Sequence, residues 1–439
     1  MKMKIEHPKI YYAQLWGLRK DKYNWLSNNS IKTTDWIEVR PKSEFYLFVP
    51  REEKLLEAYE KNPKITDIFP LNSVGIVTSR DSFVIDTNKD NLLNRIRLFK
   101  NNKYSDDELH TFFQISKKTG WSIREAWNKV KAISDSDLVK FIIPVLYRPF
   151  DVQWIFYHDS VIERTRKEVM RHMMQDNLGL VTSRQVIKDF RHAFVFDRIA
   201  NFNLIDIAGR FGSGYLFPLY LYPSTDKKDL FSHKKKAEKR QPNISPKVFM
   251  ALSEVYKKEQ TPEEIFYYIY AVLYSNIYRT KYAEFLKIDF PRIPFTKDYK
   301  LFSKMAEHGQ KLVALHLMKP VGAYCHTPLP KPFAKFQGKG DNRVEKLKYN
   351  EEQNRVYINK DQYFEGIKEE VWQYQIGGYQ VCDKWLKDRK GRNLSLDDIK
   401  HYCNIVTLLQ ETIEIQKVID DLYSEVEKEV IKFPNDGRQ

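Results

Sequence analysis

A hexapeptide that occurs twice is the feature that most constrains how this chain can fold. Residues 75–80 read Gly-Ile-Val-Thr-Ser-Arg, and residues 179–184 read Gly-Leu-Val-Thr-Ser-Arg. An apolar run between a glycine and a Thr-Ser pair is typical of a strand that ends in a turn. We expect two framework strands of a β-rich lobe, repeated because the lobe builds two similar layers, with Arg80 and Arg184 delivered to a surface that binds an anion. The competing interpretation is a pair of buried core strands without a binding role.

The composition is basic and aromatic. The chain has 439 residues, which is enough for two or three domains with cores of their own. Aromatic residues make up 14% of the sequence, which argues against a disordered chain. The formal net charge of +15 favours a polyanionic partner, most simply nucleic acid, although general basicity of a Lys-rich proteome remains an alternative.

The three cysteines indicate a reduced, cytoplasmic protein. Cys325, Cys382 and Cys403 form no Cys-x-x-Cys pair, so neither a zinc ribbon nor a disulfide framework is predicted. No apolar run is long enough to span a bilayer, and no signal peptide is visible. We therefore expect no membrane association.

The order of apolar and polar segments predicts an α+β fold. Strand-like runs dominate residues 41–223, and helical periodicity dominates residues 246–439, where a small antiparallel meander is also expected. A Lys-rich polar stretch at 224–245 predicts a basic linker or loop between the two lobes. Thr261 followed by Pro262 and Glu264 predicts a helix start.

No catalytic or metal-binding motif emerges. An adenine or cytosine amino-methyltransferase needs an Asn/Asp-Pro-Pro-aromatic tetrad, and the chain has none. Residues 211–214 (Phe-Gly-Ser-Gly) imitate a cofactor loop but lack the preceding strand and the following carboxylate, so a structural turn is favoured. The phosphate-binding loop, the nucleophilic triads and metal-ligand spacing are also missing. We predict no catalytic residue, metal site or cofactor site in this chain.

Basic and amide side chains offer binding instead. Arginine and glutamine at strand ends can read bases, and cations three to four residues apart on a helix can follow phosphates. The competing interpretation of the basic helix is a solvated face. The candidate DNA-binding residues are Arg80, Arg148, Arg164, Arg166, Lys167, Arg171, Arg184 and Gln185.

Several longer phrases resemble one known family. They are Tyr-Arg-Pro-Phe-Asp at 147–151, Val-Met-Arg-His at 169–172, Asn-Leu-Gly-Leu at 177–180 with Ser-Arg-Gln at 183–185, Phe-Pro-Leu-Tyr-Leu-Tyr at 217–222, Ile-Asp-Phe-Pro-Arg-Ile-Pro at 288–294, and Ile-Gly-Gly-Tyr-Gln-Val at 376–381 with Lys-Trp-Leu at 384–386. In this order they look like the C-terminal target-recognition region of Type ISP single-chain restriction-modification enzymes, with relatives among Type IIG-like adenine-N6 methyltransferases.

The resemblance implies a sequence-specific binder of double-stranded DNA that positions a target adenine for N6 methylation, and for cleavage, by domains absent from this chain. It implies methyltransferase, helicase or nuclease domains as partners, and S-adenosylmethionine as the cofactor of the methyltransferase domain. Residues 1–40 would be the tail of that domain or the junction with it. The phrase at 147–151, which includes Arg148, reads as framework.

Two alternatives remain open. The chain could be a catalytically active adenine-specific methyltransferase or nuclease fragment with unrecognised motifs, so its status as an enzyme is undecided. It could also be a protein-docking module that does not contact DNA.

Overall fold

The chain divides into two compact units, Met1–Glu60 and Lys61–Gln439. The structure is a computed structural model, and it describes residues 8–41, 46, 48–50, 53–101, 103–117, 120–207, 213–223, 240–319 and 330–433. Most of the predicted basic linker lies outside these residues, as does Cys325. The predicted division into 1–40, 41–223, 224–245 and 246–439 stays a prediction.

The first unit consists of short elements with little core in its described part. Its elements are β1 (Ile10–Tyr12), α1 (Arg19–Asn28), β2 (Ile37–Val39) and α2 (Glu53–Glu60). The two strands pair antiparallel, with Ile10 opposite Val39. Helix α1 buries none of its residues, and Trp16 and Ile31 are exposed. This unit therefore gains little stability from apolar burial within its described residues.

The second unit mixes helices with antiparallel strands. Its first part contains α3 (Ile65–Ile68), β3 (Ser73–Val74), α4 (Asp81–Val84), β4 (Ile85–Asp86), α5 (Lys89–Asn101), α6 (Asp106–Phe112), α7 (Ile123–Lys131), α8 (Asp135–Leu138), β5 (Ile142–Arg148), β6 (Asp151–Phe156), α9 (Lys167–Met173), β7 (Gly179–Ser183), β8 (Ala193–Phe196), β9 (Gly214–Pro218), β10 (Tyr220–Leu221) and β11 (Gln241–Pro242). Its second part contains α10 (Pro246–Tyr256), α11 (Pro262–Tyr274), α12 (Asn276–Lys281), α13 (Ala283–Leu286), α14 (Tyr299–His316), β12 (Lys335–Gln337), β13 (Lys348–Asn350), β14 (Arg355–Tyr357), β15 (Tyr363–Glu365), α15 (Glu369–Trp372), β16 (Gln375–Ile376), β17 (Tyr379–Gln380), α16 (Val381–Lys387) and α17 (Leu396–Val426). The predicted α+β class is confirmed.

The central sheet has the strand order β3-β9-β7-β8, and all neighbours are antiparallel. Every residue of β7 is buried, and β7 lies between β9 and β8 in the sheet. Helices α11 and α14 pack against β8. Both copies of the hexapeptide lie next to β9. The second copy forms β7, which pairs with β9. The first copy follows β3 on the other side of β9, where the Gly75 amide donates to the Gly214 carbonyl at 3.3 Å. The expected two layers are therefore wrong, because one strand, β9, pairs on both of its sides within a single sheet.

A second sheet, of order β4-β6-β5, contains the phrase at 147–151. Strands β5 and β6 form a hairpin with a β-bulge between Leu146 and Arg148. At the turn, Phe150 has a φ of 61°, and Asp151 begins β6. Asp151 is buried and pairs with Arg389, which follows α16. This pair ties the hairpin to the C-terminal helices.

The C-terminal half is held together by α11, α14 and α17. Helix α11 begins as predicted: Thr261 accepts from the Glu264 amide, Glu264 reaches back to the Thr261 amide, and Pro262 opens the helix. Ten consecutive residues of α11 are buried, since α14 and α17 cover it. The expected meander is the sheet of order β12-β15-β14-β13. Within the described residues, no helix is both long and apolar enough to cross a membrane.

Candidate nucleic-acid interface

Two of the candidate arginines lie in the interior. The Arg80 guanidinium donates to the carbonyls of Thr78 and Val161 and stacks 3.6 Å from the centre of the Trp121 ring. Burial lowers the pKa of Arg80, and this effect is partly offset by the charge of Glu163. In the folded chain these contacts enclose the Arg80 guanidinium, so it does not face a ligand.

Arg148 is also buried. Its Nη1 donates to the Tyr147 carbonyl at 2.6 Å and to the Asn201 side chain at 3.1 Å. Its guanidinium lies over the Tyr147 ring, with Tyr379 on the C-terminal hairpin β16–β17 also within cation–π distance. Arg148 therefore connects the β5–β6 hairpin to two other segments.

One end of the central sheet brings Arg164 and Arg184 onto the same side of the molecule. Ser183 of β7 is opposite Gly214 of β9, and the chain leaves β7 at Arg184. On the other side of β9, the chain leaves β3 in the same direction and reaches Val77, which exchanges two 3.0 Å backbone hydrogen bonds with Arg164. Arg164 and Arg184 therefore both lie at this end of the central sheet. We call this end, with Arg164, Arg184 and Gln185, the edge surface.

The β7–β8 loop carries the polar part of the edge surface. Val186 and Phe190 are buried and anchor the loop. Between these anchors and β7, Gln185 is exposed, and its side chain makes no hydrogen bond with any residue that the structure describes. Lys188, which the sequence analysis did not select, is exposed in the same loop. An anchored loop with a free amide and a cation is suited to contacts with a polar ligand.

Arg184 forms an ion pair with a residue far away in the sequence. Its Nε lies 3.1 Å from Asp289 Oδ1, and its side chain keeps 51% exposure, whereas that of Asp289 keeps 14%. Lys64 contacts the other oxygen of Asp289, with Nζ 2.6 Å from Oδ2. The sequence analysis missed Asp289 and Lys64, because only the fold brings three such distant segments together.

The basic segment at 164–171 is only partly helical. Helix α9 starts at Lys167, after Arg166 with a φ of 54°, so only Lys167 and Arg171 share a helical face. Arg164 is exposed, and its side chain has no hydrogen-bond partner within the described part of the chain. Lys167 pairs with Asp159, and Arg166 lies 4.0 Å from Glu168. Arg164 is therefore the cation of this segment most available to a ligand.

Arg171 points toward the opposite end of the central sheet. It donates to the Tyr222 carbonyl at 2.9 Å, and the Tyr222 amide donates to Nδ1 of the buried His172 at 2.9 Å. Burial, with a smaller contribution from Arg171, lowers the pKa of His172 to about 4. The histidine is thus a neutral acceptor at neutral pH, and it holds the backbone near Arg171 in place.

The described residues show no arrangement suited to metal or thiol chemistry. Among them, no three His, Cys, Asp or Glu side chains gather around a possible metal position. Burial raises the pKa of the Cys382 thiol to about 12 and that of Cys403 to about 11, which keeps both protonated and poorly nucleophilic at neutral pH.

Comparison with protein families decides which family the chain belongs to. The model of the Type ISP C-terminal specificity domain matches residues 67–418. The chain belongs to this family. The resemblance stated from the sequence phrases is therefore confirmed, and the match includes the edge surface and most of the second unit of this Type ISP specificity domain.

Solved structures share the fold of this Type ISP specificity domain. The cryoEM structure of a DrdV–DNA complex matches with a TM-score of 0.69 and 23% identity over 93% of this chain and 43% of that chain. A nuclease-deletion mutant of the Type ISP restriction-modification enzyme LlaGI, in complex with a DNA substrate mimic, gives 0.62 and 21% over 93% and 33%. The ATP-dependent Type ISP enzyme LlaBIII bound to DNA gives 0.60 and 19% over 90% and 26%. The chain thus spans less than half the length of each of these structures. No curated protein matches it.

Proposed function

We propose that this specificity domain binds double-stranded DNA sequence-specifically through its edge surface. One observation carries the proposal: one end of the central sheet has two exposed arginines, Arg164 and Arg184, and the exposed Gln185, whose amide makes no hydrogen bond with any described residue. Arginine can form a bidentate contact with guanine and glutamine with adenine, and cations beside them neutralise phosphates. That the three similar structures contain DNA or a DNA mimic supports the proposal.

The eight candidate residues then have different roles. Arg164 contacts phosphate, with Lys167 and Arg166 contributing less because carboxylates already neutralise them in part. Arg171 lies toward the other end of the sheet and would extend the phosphate contacts along α9. Arg184 and Gln185 contact bases. Arg80 and Arg148 support the fold from inside, since leaving their present partners would cost buried hydrogen bonds.

The chemistry that follows recognition belongs to other domains in this proposal. We propose that bound DNA is presented, in the cytoplasm, to a methyltransferase domain that modifies adenine at N6, with nuclease or helicase domains in the same enzyme. S-adenosylmethionine would bind that methyltransferase domain. Phe211 and Gly212 of the Phe-Gly-Ser-Gly segment lie outside the described residues. At its last residue, a Cβ on Gly214 would lie 2.7 Å from Val181 Cγ2, so this glycine allows β9 to pack against β7.

Salt dependence of DNA binding tests the proposal. The logarithm of affinity should fall linearly with the logarithm of salt concentration, by about 0.9 for each phosphate neutralised. Arg164→Ala should reduce that slope by about 0.9 and weaken all sequences alike. Lys348→Ala, which removes an exposed lysine from β13 in another sheet, is the matched control and should leave the slope unchanged.

Three results would contradict the proposal. An affinity for duplex DNA that stays flat between low and moderate salt would eliminate the electrostatic contact. Transfer of a labelled methyl group from S-adenosylmethionine to mixed-sequence DNA by this chain alone would show that it is a methyltransferase and not only a recognition domain. Co-purification with a methyltransferase or helicase subunit without any DNA binding would favour the docking module.

A further inference from the structure

Arg184 and Asp289 form a pair whose geometry points beyond general DNA binding. We propose that Arg184 reads a guanine in the major groove and that Asp289 is the positioning residue that aims its guanidinium. This role rests on the proposed function, because it requires that the edge surface contacts DNA. It assigns one base of the target site to one side chain.

The hydrogen bond to Asp289 uses Nε of Arg184 and leaves its two Nη groups available for contact with a base. Only Nε contacts Asp289, at 3.1 Å from Oδ1, and neither Nη group has a hydrogen-bond partner in the described part of the chain. The side chain remains 51% exposed. With Nε occupied, the two Nη groups form a planar fork that can donate to O6 and N7 of the same guanine, the commonest specific contact of arginine with a base.

Asp289 is held in place by its surroundings, so it can orient Arg184. Two backbone hydrogen bonds fasten its segment to the start of α3: Ile65 donates to the Pro291 carbonyl, and Ile293 donates to the Pro63 carbonyl, each at 2.9 Å. Next to Asp289, Phe290 is buried, and its ring packs edge-on against Tyr215 of β9 at 4.8 Å. The carboxylate is thereby fixed relative to the sheet edge from which Arg184 projects.

Lys64 completes the arrangement from the other side. Its Nζ binds Oδ2 of Asp289 at 2.6 Å, while Arg184 uses Oδ1. The two cations exceed the single carboxylate by one positive charge, so the cluster remains attractive to DNA. Because its Nε is already held, Arg184 loses less rotational freedom when it binds a base than a free arginine would.

The duplicated hexapeptide offers an internal contrast. Arg80 ends the first copy, yet its guanidinium is enclosed by Val161 and Trp121 and is 4% exposed. Arg184 ends the second copy, and it is directed outward against a carboxylate. Two arginines in nearly identical sequence therefore have opposite accessibility, and only Arg184 can reach a ligand from the folded state.

Selection from a pool of duplexes with a randomised central segment tests the assignment. The full chain and its variants are incubated with the pool at one salt concentration, and the bound fraction is sequenced to give the base preference at each position. The wild type should show one position where guanine is preferred by about 5- to 150-fold, the range of discrimination of a bidentate contact. Arg184→Ala should abolish the preference at that position alone. Arg184→Lys keeps the charge without the planar fork, so it should reduce the preference at that position while the salt dependence of binding stays as in the wild type.

Variants of the two partners separate positioning from structural support. Asp289→Ala should weaken the guanine preference at the same position, whereas Asp289→Asn, which keeps an acceptor oxygen, should restore part of it. Lys64→Met removes the other ion pair of Asp289 and should weaken the preference less than Asp289→Ala does, because the carboxylate that contacts Nε of Arg184 remains. Lys348→Ala, in β13 of another sheet, is the matched control and should leave the base preference unchanged. Thermal unfolding of each variant shows whether it is folded under the selection conditions.

The outcomes distinguish failure of the proposed DNA binding from failure of the guanine assignment. If the wild type binds no duplex and selects no sequence, the proposed function fails and the guanine assignment fails with it. If the wild type selects a sequence that the Arg184 variants select equally well, DNA recognition stands and the assignment is overturned. If the Asp289 variants leave the preference intact, or reduce the preference at every position alike, Asp289 has no positioning role.

Discussion

The buried ion pair between Asp151 and Arg389 provides a sharp test of how this domain is held together. The two side chains are 2% and 9% exposed, and Arg389 Nη2 lies 2.8 Å from Asp151 Oδ1. Gln153 donates to the other carboxylate oxygen at 2.8 Å. The Arg389 guanidinium also lies 3.5 Å from the centre of the Trp385 ring. Asp151→Asn removes the negative charge while it keeps the shape and one acceptor oxygen.

The expected magnitude follows from what remains around Arg389. Breaking a buried pair from one side costs about 3–5 kcal/mol, because a charge is left in the interior without compensation. Asp398 Oδ1 is 3.7 Å from Arg389 Nε and retains part of that compensation. We therefore expect Asp151→Asn to lower the free energy of unfolding by about 3 kcal/mol, the lower end of the range. That is a large part of the 5–15 kcal/mol typical of a folded protein.

Urea denaturation followed by tryptophan fluorescence measures this loss, and a double-mutant cycle assigns it to the pair. Arg389→Met removes the cation and should also destabilise the chain by leaving Asp151 buried alone. In the double variant neither charge remains, so its loss should be smaller than the sum of the single losses by about 2 kcal/mol or more. A loss below about 1 kcal/mol for Asp151→Asn, or additive losses in the cycle, would refute the reasoning.

Two further predictions concern the C-terminal half. Gly377→Ala should destabilise the chain by more than about 2 kcal/mol, because Gly377 has a φ of 59° and an added Cβ would lie 1.8 Å from the Ile205 carbonyl oxygen; Gly391→Ala, at a φ of 81° with open space around it, is the matched control and should lose only about 1 kcal/mol in urea denaturation. The buried His316 bonds Tyr270 and Thr412, and burial lowers its pKa from the usual 6.5 to about 3. Since the unfolded chain binds a proton there and the folded chain does not between these two values, the free energy of unfolding should fall as the pH drops below about 6.5. His316→Gln should lose up to about 1.4 kcal/mol per pH unit of that dependence, and equal slopes for wild type and variant in urea midpoints between pH 7 and pH 5 would contradict the assignment.

Local sequence rules predicted the elements whose signals are local. The start of α11 follows from Thr261, Pro262 and Glu264, because capping involves residues within one helical turn. The second hexapeptide copy was correctly expected to be a strand, since it consists of apolar residues bounded by turn formers. The basic segment at 164–171 was predicted less well. Its helix begins only at Lys167, because Arg166 adopts a left-handed conformation that no local rule foresees for arginine.

By itself, the sequence determined the family, the α+β class and the basic character of this specificity domain, because phrases in a fixed order, apolar periodicity and net charge need no knowledge of the fold. The tertiary structure alone decided which of two equivalent arginines is accessible. Arg80 meets Trp121 and the Val161 carbonyl in the interior, whereas Arg184 meets Asp289, a residue 105 positions away, at the edge of the sheet. The accessibility of a side chain depends on distant segments that fold against it, and a repeated hexapeptide contains no information about those segments.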